Sequence, residues 1–241
     1  RKESSAASDV YKRQAQRWVN ATYSGIAGYD RCPENGKTNW ATMYSLTQGL
    51  QHELGIQELS HAFGPTTMSK VDARGGVGPG EQNKNIVNII KCAFCCKGYP
   101  GGDLDGIWRS SPPFGPQMDA VAGSLYAMAN NMGIGVQDRL NAKLFKALLT
   151  MDAYVLVSGG DPEVRKIQQW LTRRYWQRRF ATIIPTEGHY SRDVQKLLMK
   201  ALQSEFGIAD SSVNGNFGPA TRQQLAAHIL KPGDSLSLIH I

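Results

Sequence analysis

Ser191-Arg-Asp-Val-Gln-Lys-Leu-Leu-Met-Lys-Ala-Leu-Gln-Ser-Glu-Phe-Gly-Ile208 is the stretch that decides the fold. Val194, Leu197, Leu198, Ala201, Leu202 and Phe206 recur at three- and four-residue steps, which places them on one face of a helix. Ser191 offers an N-cap hydroxyl, and Asp193 puts a negative charge in the first turn, where the helix dipole favours it. Gly207 predicts a left-handed residue just past the helix, followed by Ile208 folding back on the last turn. Phe217-Gly218-Pro219 then opens a second helix, with proline at a first position where its missing N–H costs nothing.

Working outward, the same punctuation recurs. Gly55-Ile56 and Gly133-Ile134 repeat the helix stop, and Phe63-Gly64-Pro65 repeats the helix start, with Thr67 in the place of Thr221. Trp18 and Tyr23 return as Trp170 and Tyr175, and one constant offset also relates Pro33 to Pro185, Gly36 to Gly188, Leu50-Gln51 to Leu202-Gln203 and Glu53 to Glu205. Phe94 and Tyr99 lie halfway between the outer pairs. Chance likeness between amphipathic helices does not explain an offset that runs unbroken through the loop residues Pro33 and Gly36. The expected architecture is an all-α protein of tandem small helical modules in three blocks, 15–77, 78–162 (with 84–157 as its matched core) and 163–230. Tyr154-Val-Leu-Val157 is short and apolar, but it follows a helical pattern and adds no sheet.

The composition sets limits. The chain has 241 residues, is 41% hydrophobic and 20% charged, and carries a net charge of +7, which excludes a wholly disordered or collagen-like polymer. No apolar run reaches the roughly 18–20 residues that span a bilayer. Four cysteines are too few for a disulfide-built scaffold. The positive balance suits polyanionic surroundings without choosing between a wall polymer and a nucleic acid.

Both ends read as foreign. Asp9-Val10-Tyr11-Lys12-Arg13-Gln14 can be encoded by GATGTGTATAAGAGACAG, whose reverse complement encodes Leu236 to Ile241. This resembles the end repeat of transposase-based sequencing libraries. Residues 1–14 and 236–241 are therefore expected to be translated adapter, and 231–241 a linker with that tail. The alternative is a native basic arm and a native apolar tail. On the adapter reading, 15–235 is an internal fragment of a longer protein.

Asp105-Gly106-Ile107-Trp108 and Asn214-Gly215-Asn216-Phe217-Gly218-Pro219-Ala220-Thr221 resemble the Asp-Gly-x-Phe-Gly-Pro-x-Thr signature of peptidoglycan-binding-like domains. Gly188-His189-Tyr190-Ser191 resembles a degenerate copy, which would make each block two overlapping modules sharing a central helix. From Gln16 to Leu230 the chain further resembles the region upstream of a glycoside-hydrolase-like domain in secreted Gram-positive wall proteins. Cys32-Pro33-Glu34-Asn35-Gly36-Lys37-Thr38 and the stretch Phe145 to Tyr154 carry that likeness. Two departures weaken it: Trp108-Arg-Ser-Ser-Pro-Pro-Phe114 interrupts the turn of block two, and His61-Ala62 replaces Asp-Gly in block one. The resemblance implies an extracellular, wall-associated grip on peptidoglycan or another anionic wall polymer. It further implies a hydrolase-like domain beyond Ser235 and permits a disulfide among Cys32, Cys92, Cys95 and Cys96, with pairing open.

In the signature turn glycine takes positive φ, phenylalanine fills the space between helices and proline starts the next helix. Phe63 and Phe217 are thus expected in the core. The expected ligand contacts are the polar neighbours Asp105, Arg109, Asn214, Asn216, Thr221 and Arg222, since Asn pairs with amides in both directions and Arg clasps carboxylates. Solvated loop polarity is the plainer reading of each.

Other chemistry is thinly represented. Cys92-Ala-Phe-Cys95-Cys96 holds a C-x-x-C pair in an amphipathic helix with no second pair, so it reads as packing and neither a metal nor a cofactor is expected. His52, His61, His189 and His228 stand singly. Asp103 with Asp105, or Glu187 with Asp193, could be imagined as a glycosidase pair, but tandem small modules offer no deep cleft. Arg165-Lys166 and Arg173 to Phe180 interleave arginine with aromatics as nucleic-acid binders do, yet the block-one counterparts Ala21 and Thr22 are neutral, so no nucleic-acid partner is expected. The leading function is non-catalytic wall binding. A wall hydrolase acting by itself and a purely architectural spacer are the alternatives. The sequence leaves the oligomeric state open.

Overall fold

In a computed structural model, described for residues 2–109 and 119–227 (backbone alone for 2–7), the chain is all helical, and the described residues form no strand. It divides into two compact units, Arg1–Val155 and Leu156–Ile241. The block expected at 15–77 and that expected at 78–162, apart from its last seven residues, share the first unit, and Tyr154 to Val157, read as a short apolar run, is irregular chain at the division.

The first unit contains α1 (Lys2–Tyr23), α2 (Trp40–Glu53), α3 (Pro65–Ala73), α4 (Lys84–Cys96), α5 (Ala120–Met132) and α6 (Ala142–Leu148). α1 runs on through the segment read as adapter-derived. Its inward stripe, Ala15, Gln16, Val19, Asn20 and Tyr23, has the spacing of a single helix face and packs on α4 and α2. α4 is buried almost all round: Ile86, Val87, Ile89, Ile90, Cys92, Ala93 and Phe94 are fully enclosed. A helix enclosed on nearly every side belongs at the centre, and each enclosed aliphatic side chain contributes about 1.5–3 kcal/mol of transfer free energy. Lys91 is enclosed with them, and its ammonium donates to Asp105 Oδ1 at 2.5 Å and to the Asp103 carbonyl at 2.7 Å. α3 packs on α6, and just beyond α3 Val77 and Leu140 exchange two backbone hydrogen bonds of 2.9 and 2.7 Å.

The second unit contains α7 (Pro162–Tyr175), α8 (Arg192–Glu205) and α9 (Pro219–Ala227). Leu171, Tyr175, Phe180, Ile184, Val194, Leu197 and Ala201 make its core. Trp170, Leu198 and Ile208 pack at the margin.

The sequence punctuation works as expected. Ser191 accepts from the Val194 amide, and Pro65 starts α3. After α2, α5 and α8 the glycines Gly55, Gly133 and Gly207 adopt φ of 70, 80 and 78°. The amides of Ile56, Ile134 and Ile208 then reach back to the carbonyls of Gln51, Ala129 and Gln203 at 2.9, 3.0 and 3.0 Å. One expectation fails. Phe63 is buried and lies 6.1 Å from the Phe145 ring, but Phe217 is 51% exposed, because the described part of the second unit sets no such ring against it.

Candidate functional site

The turns that lead to Phe63-Gly64-Pro65 and Phe217-Gly218-Pro219 are each held from inside by a buried carboxamide. Gln203 Oε1 accepts from the amides of Asn214 (3.1 Å) and Gly215 (2.9 Å), while Nε2 donates to the Asn216 carbonyl and the Thr221 hydroxyl, both at 2.9 Å. Gln51 does the same in the first unit, accepting from Ser60 N at 2.8 Å and donating to the Ala62 carbonyl at 2.9 Å and Thr67 Oγ1 at 3.3 Å. In the middle block Ala129 stands at the matching place before Gly133 and has no amide to give.

A second carboxamide closes the other turns. Gln16 accepts from Gly36 N at 2.8 Å and donates to the Lys37 carbonyl at 2.9 Å. Gln168 accepts from Gly188 N at 2.9 Å and donates to the His189 carbonyl at 2.9 Å. Asn88 accepts from Gly106 N at 2.8 Å. One side chain thus satisfies a backbone donor and an acceptor that the tight turn would otherwise leave unpaired. The sequence matched Gln51 with Gln203 but did not show what they hold; Gln or Asn on the inward face of α1, α2, α4, α7 and α8 was the available signal.

The six expected contact residues divide. Thr221 is 1% exposed with its hydroxyl spent on Gln203, so the expected ligand contact is corrected: it fastens the turn from within. Asp105 is clamped by Lys91, by Arg109 and by the Ile107 amide at 3.0 Å. Partial burial works against its charge, but the bonds from Lys91 and Arg109 outweigh that and hold its carboxyl well below the usual carboxylate range. Arg109 is correspondingly engaged with Asp105. Asn214, Asn216 and Arg222 are exposed, and the side chains of Asn216 and Arg222 make no hydrogen bond among the described residues. Asn214 Oδ1 accepts from Gln203 Nε2 at 3.3 Å and from the Asn216 amide at 2.8 Å, while Asn216, Phe217 and Arg222 are the outward-facing residues of the stretch where α8 leads into α9. The interrupted turn of block two, from Ser110 through Phe114, and His228 lie outside the described residues.

The cysteines need a correction. Cys32, Cys92, Cys95 and Cys96 are free thiols, so the disulfide permitted by the family resemblance is not formed. Burial pushes all four thiols up, Cys96 to about 12. Thiols held protonated are poor nucleophiles and poor metal ligands. No group of three or more His, Cys, Asp or Glu among the described residues could hold a metal ion. The basic run lies on a solvated face, with Arg178 paired to Asp210 at 2.5 Å and Arg174 to Glu205 at 3.6 Å. No described helix is long and apolar enough to cross a membrane.

Residues 157–241 match the family model described as FadG/YbfG, PGDB-like domain, so a peptidoglycan-binding-like domain is present in the second unit. Beyond that domain, the chain is 43% identical over 229 residues to the uncharacterized protein FadG of Bacillus subtilis (strain 168), covering 94% of this chain and 38% of the relative. It is 38% identical over 221 residues to the uncharacterized protein YbfG of the same organism, covering 91% of this chain and 28% of the relative. The chain thus spans well under half the length of these relatives. No solved structure matches it.

Proposed function

We propose that this chain is a non-catalytic, peptidoglycan-binding region of a secreted, wall-associated protein. The peptidoglycan-binding-like domain over residues 157–241 is the observation that carries this reading. Blocks 15–77, 78–162 and 163–230 act as copies of one helical module, and weak grips on a single chain gain strength through effective concentration. In the second unit the contact set is Asn214, Asn216, Phe217 and Arg222, whose amide, ring and guanidinium groups suit stem-peptide amides and carboxylates. An adjoining hydrolase-like domain beyond Ser235 is what the grip would hold against the wall, and the greater length of both relatives leaves room for one. Co-sedimentation with purified sacculi at moderate salt tests the reading: the chain should pellet with the wall, and a chain left wholly in the supernatant overturns it. Release of dye from labelled wall by this chain alone would instead make it a hydrolase.

A second reading is architectural. Thr221 and Asp105 are committed to internal bonds, which favours modules that serve as a spacer or docking face. A parent protein that keeps full activity on wall after deletion of residues 15–230 would favour it.

A further inference from the structure

Trp40 and Tyr44 stand one turn apart on α2, with ring centroids 5.7 Å apart and planes 25° from parallel. Tyr44 lies flat on the imidazole of His61, 4.2 Å between centroids and 4° between planes. His61 comes from the turn after α2 and is fixed by Nε2, which lies 2.7 Å from Asp30 Oδ2. The same carboxylate oxygen accepts from the buried amide of Gln48 at 3.0 Å. Bonds from Gln48 and then His61 keep the Asp30 carboxyl below its ordinary range.

The three rings form a ladder at the surface. Trp40 is 51% exposed, and the side chains of His61 and Asp30 are 52% and 66% exposed. The indole N–H, the Tyr44 hydroxyl and Asp30 Oδ1 make no hydrogen bonds among the described residues. The fold does not require these rings. Ala120 and Arg192 open α5 and α8 where Trp40 opens α2, and one turn later they are followed by Ser124 and Lys196, not tyrosine.

We propose that Trp40, Tyr44, His61 and Asp30 form a glycan-binding platform for β-1,4-linked N-acetylhexosamine. This deepens the wall-binding reading and rests on it for the choice of sugar. A pyranose chair has apolar C–H faces and a polar rim. Tyr44 has a face covered by His61 and backs Trp40, so the outer face of the Trp40 indole takes the former, and the indole N–H, the Tyr44 hydroxyl and Asp30 Oδ1 take hydroxyl and acetamide groups of the latter. The charged, hydrogen-bonded edge at Asp30 and His61 favours a polar-rimmed sugar over an apolar protein face.

The test is calorimetric titration of the whole chain with tetra-N-acetylchitotetraose, alongside Trp40→Ala and Asp30→Asn. Trp40 is exposed and Asn39 caps α2 independently, so Trp40→Ala should keep the wild-type melting temperature. The expected result is binding that Trp40→Ala weakens by about tenfold or more and Asp30→Asn weakens less. No binding at millimolar oligosaccharide, or equal affinity in folded Trp40→Ala, overturns the platform. Sacculus sedimentation separates it from the broader reading. A chain that pellets with wall but ignores the oligosaccharide loses this inference only, and one that binds the oligosaccharide through Trp40 but never pellets keeps it while losing the other.

Discussion

The hydroxyl of Tyr23, at the last turn of α1, donates to Glu53 Oε1 at the last turn of α2 across 2.9 Å. Burial, with the Glu53 carboxylate beside it, pushes the Tyr23 phenol far up, so it stays a donor at any physiological pH. Glu53 also accepts from the carboxamides of Asn83 and Asn85, both at 2.8 Å, so one carboxylate gathers α1, α2 and the start of α4. Tyr175 makes the corresponding bond to Glu205 at 2.7 Å, where burial and that bond raise its phenol to about 12. Glu205 accepts no asparagine bonds of this kind among the described residues; Arg174 lies 3.6 Å from it and Arg178 adds its charge. Tyr23→Phe should therefore lower stability by about 1–2 kcal/mol and Tyr175→Phe by about half that. Urea unfolding of each variant checks this, and equal effects would mean that the asparagine bonds to Glu53 add nothing.

Gln203→Leu keeps the volume and removes the bracket. The amides of Asn214 and Gly215 and the hydroxyl of Thr221 would lose their partner together. The expected cost is about 2–4 kcal/mol, more than a single buried hydrogen bond. Gln203→Glu should cost less, since it keeps the acceptor for both amides. Thermal melts of the pair decide it: a loss no greater for leucine than for glutamate would show that the turn holds itself.

Stability should also vary with pH through Lys97. Desolvation lowers its ammonium to about 8 from an ordinary 10.5, with Asp152 and Cys96 opposing. Its amine donates to the Asp152 carbonyl at 2.6 Å and lies 4.9 Å from the Tyr154 ring centroid. Between those two values the unfolded chain binds more protons, so this residue makes folding less unfavourable as pH rises from 8 to 10.5. Its cost is fully present below 8. Lys97→Met should be the more stable form at neutral pH and should narrow its lead over that window. Paired urea titrations at pH 7 and 10 cancel the other ionising groups, and a constant gap between the two proteins would sink the account.

Wall binding should divide along the exposed and buried sides of one turn. Asn216→Ala combined with Arg222→Ala should reduce sacculus sedimentation severalfold with an unchanged melting temperature, because neither side chain bonds within the described residues. Thr221→Val should lower the melting temperature and leave sedimentation of the folded protein near wild type. The reverse pattern would mean that the outward-facing cluster is idle.

Much of the fold was legible because helix ends are written locally. Ser191, Gly207-Ile208 and Pro65 each act within a few residues of their own backbone, and all behave as their chemistry requires. The candidate site was less legible because its determinants are tertiary. Thr221 faces inward for the sake of Gln203, eighteen positions earlier, and a signature motif does not reveal which of its polar residues is already occupied. Phe217 has the spacing of Phe63, but burial depends on whether another helix brings a ring such as Phe145 against it. The Trp40–Tyr44 spacing of one turn was visible in the sequence; that His61 would complete the ladder was not, since it depends on the path of the turn after α2.

The Val77–Leu140 backbone exchange bears on how this chain can be divided. A piece ending at residue 77 would keep its own three helices but surrender α4, whose enclosed isoleucines and phenylalanine are the floor on which α1 and α2 rest. Scissors applied there would yield a sticky remnant and not a smaller binder, while a cut after Val155 spares every one of those contacts.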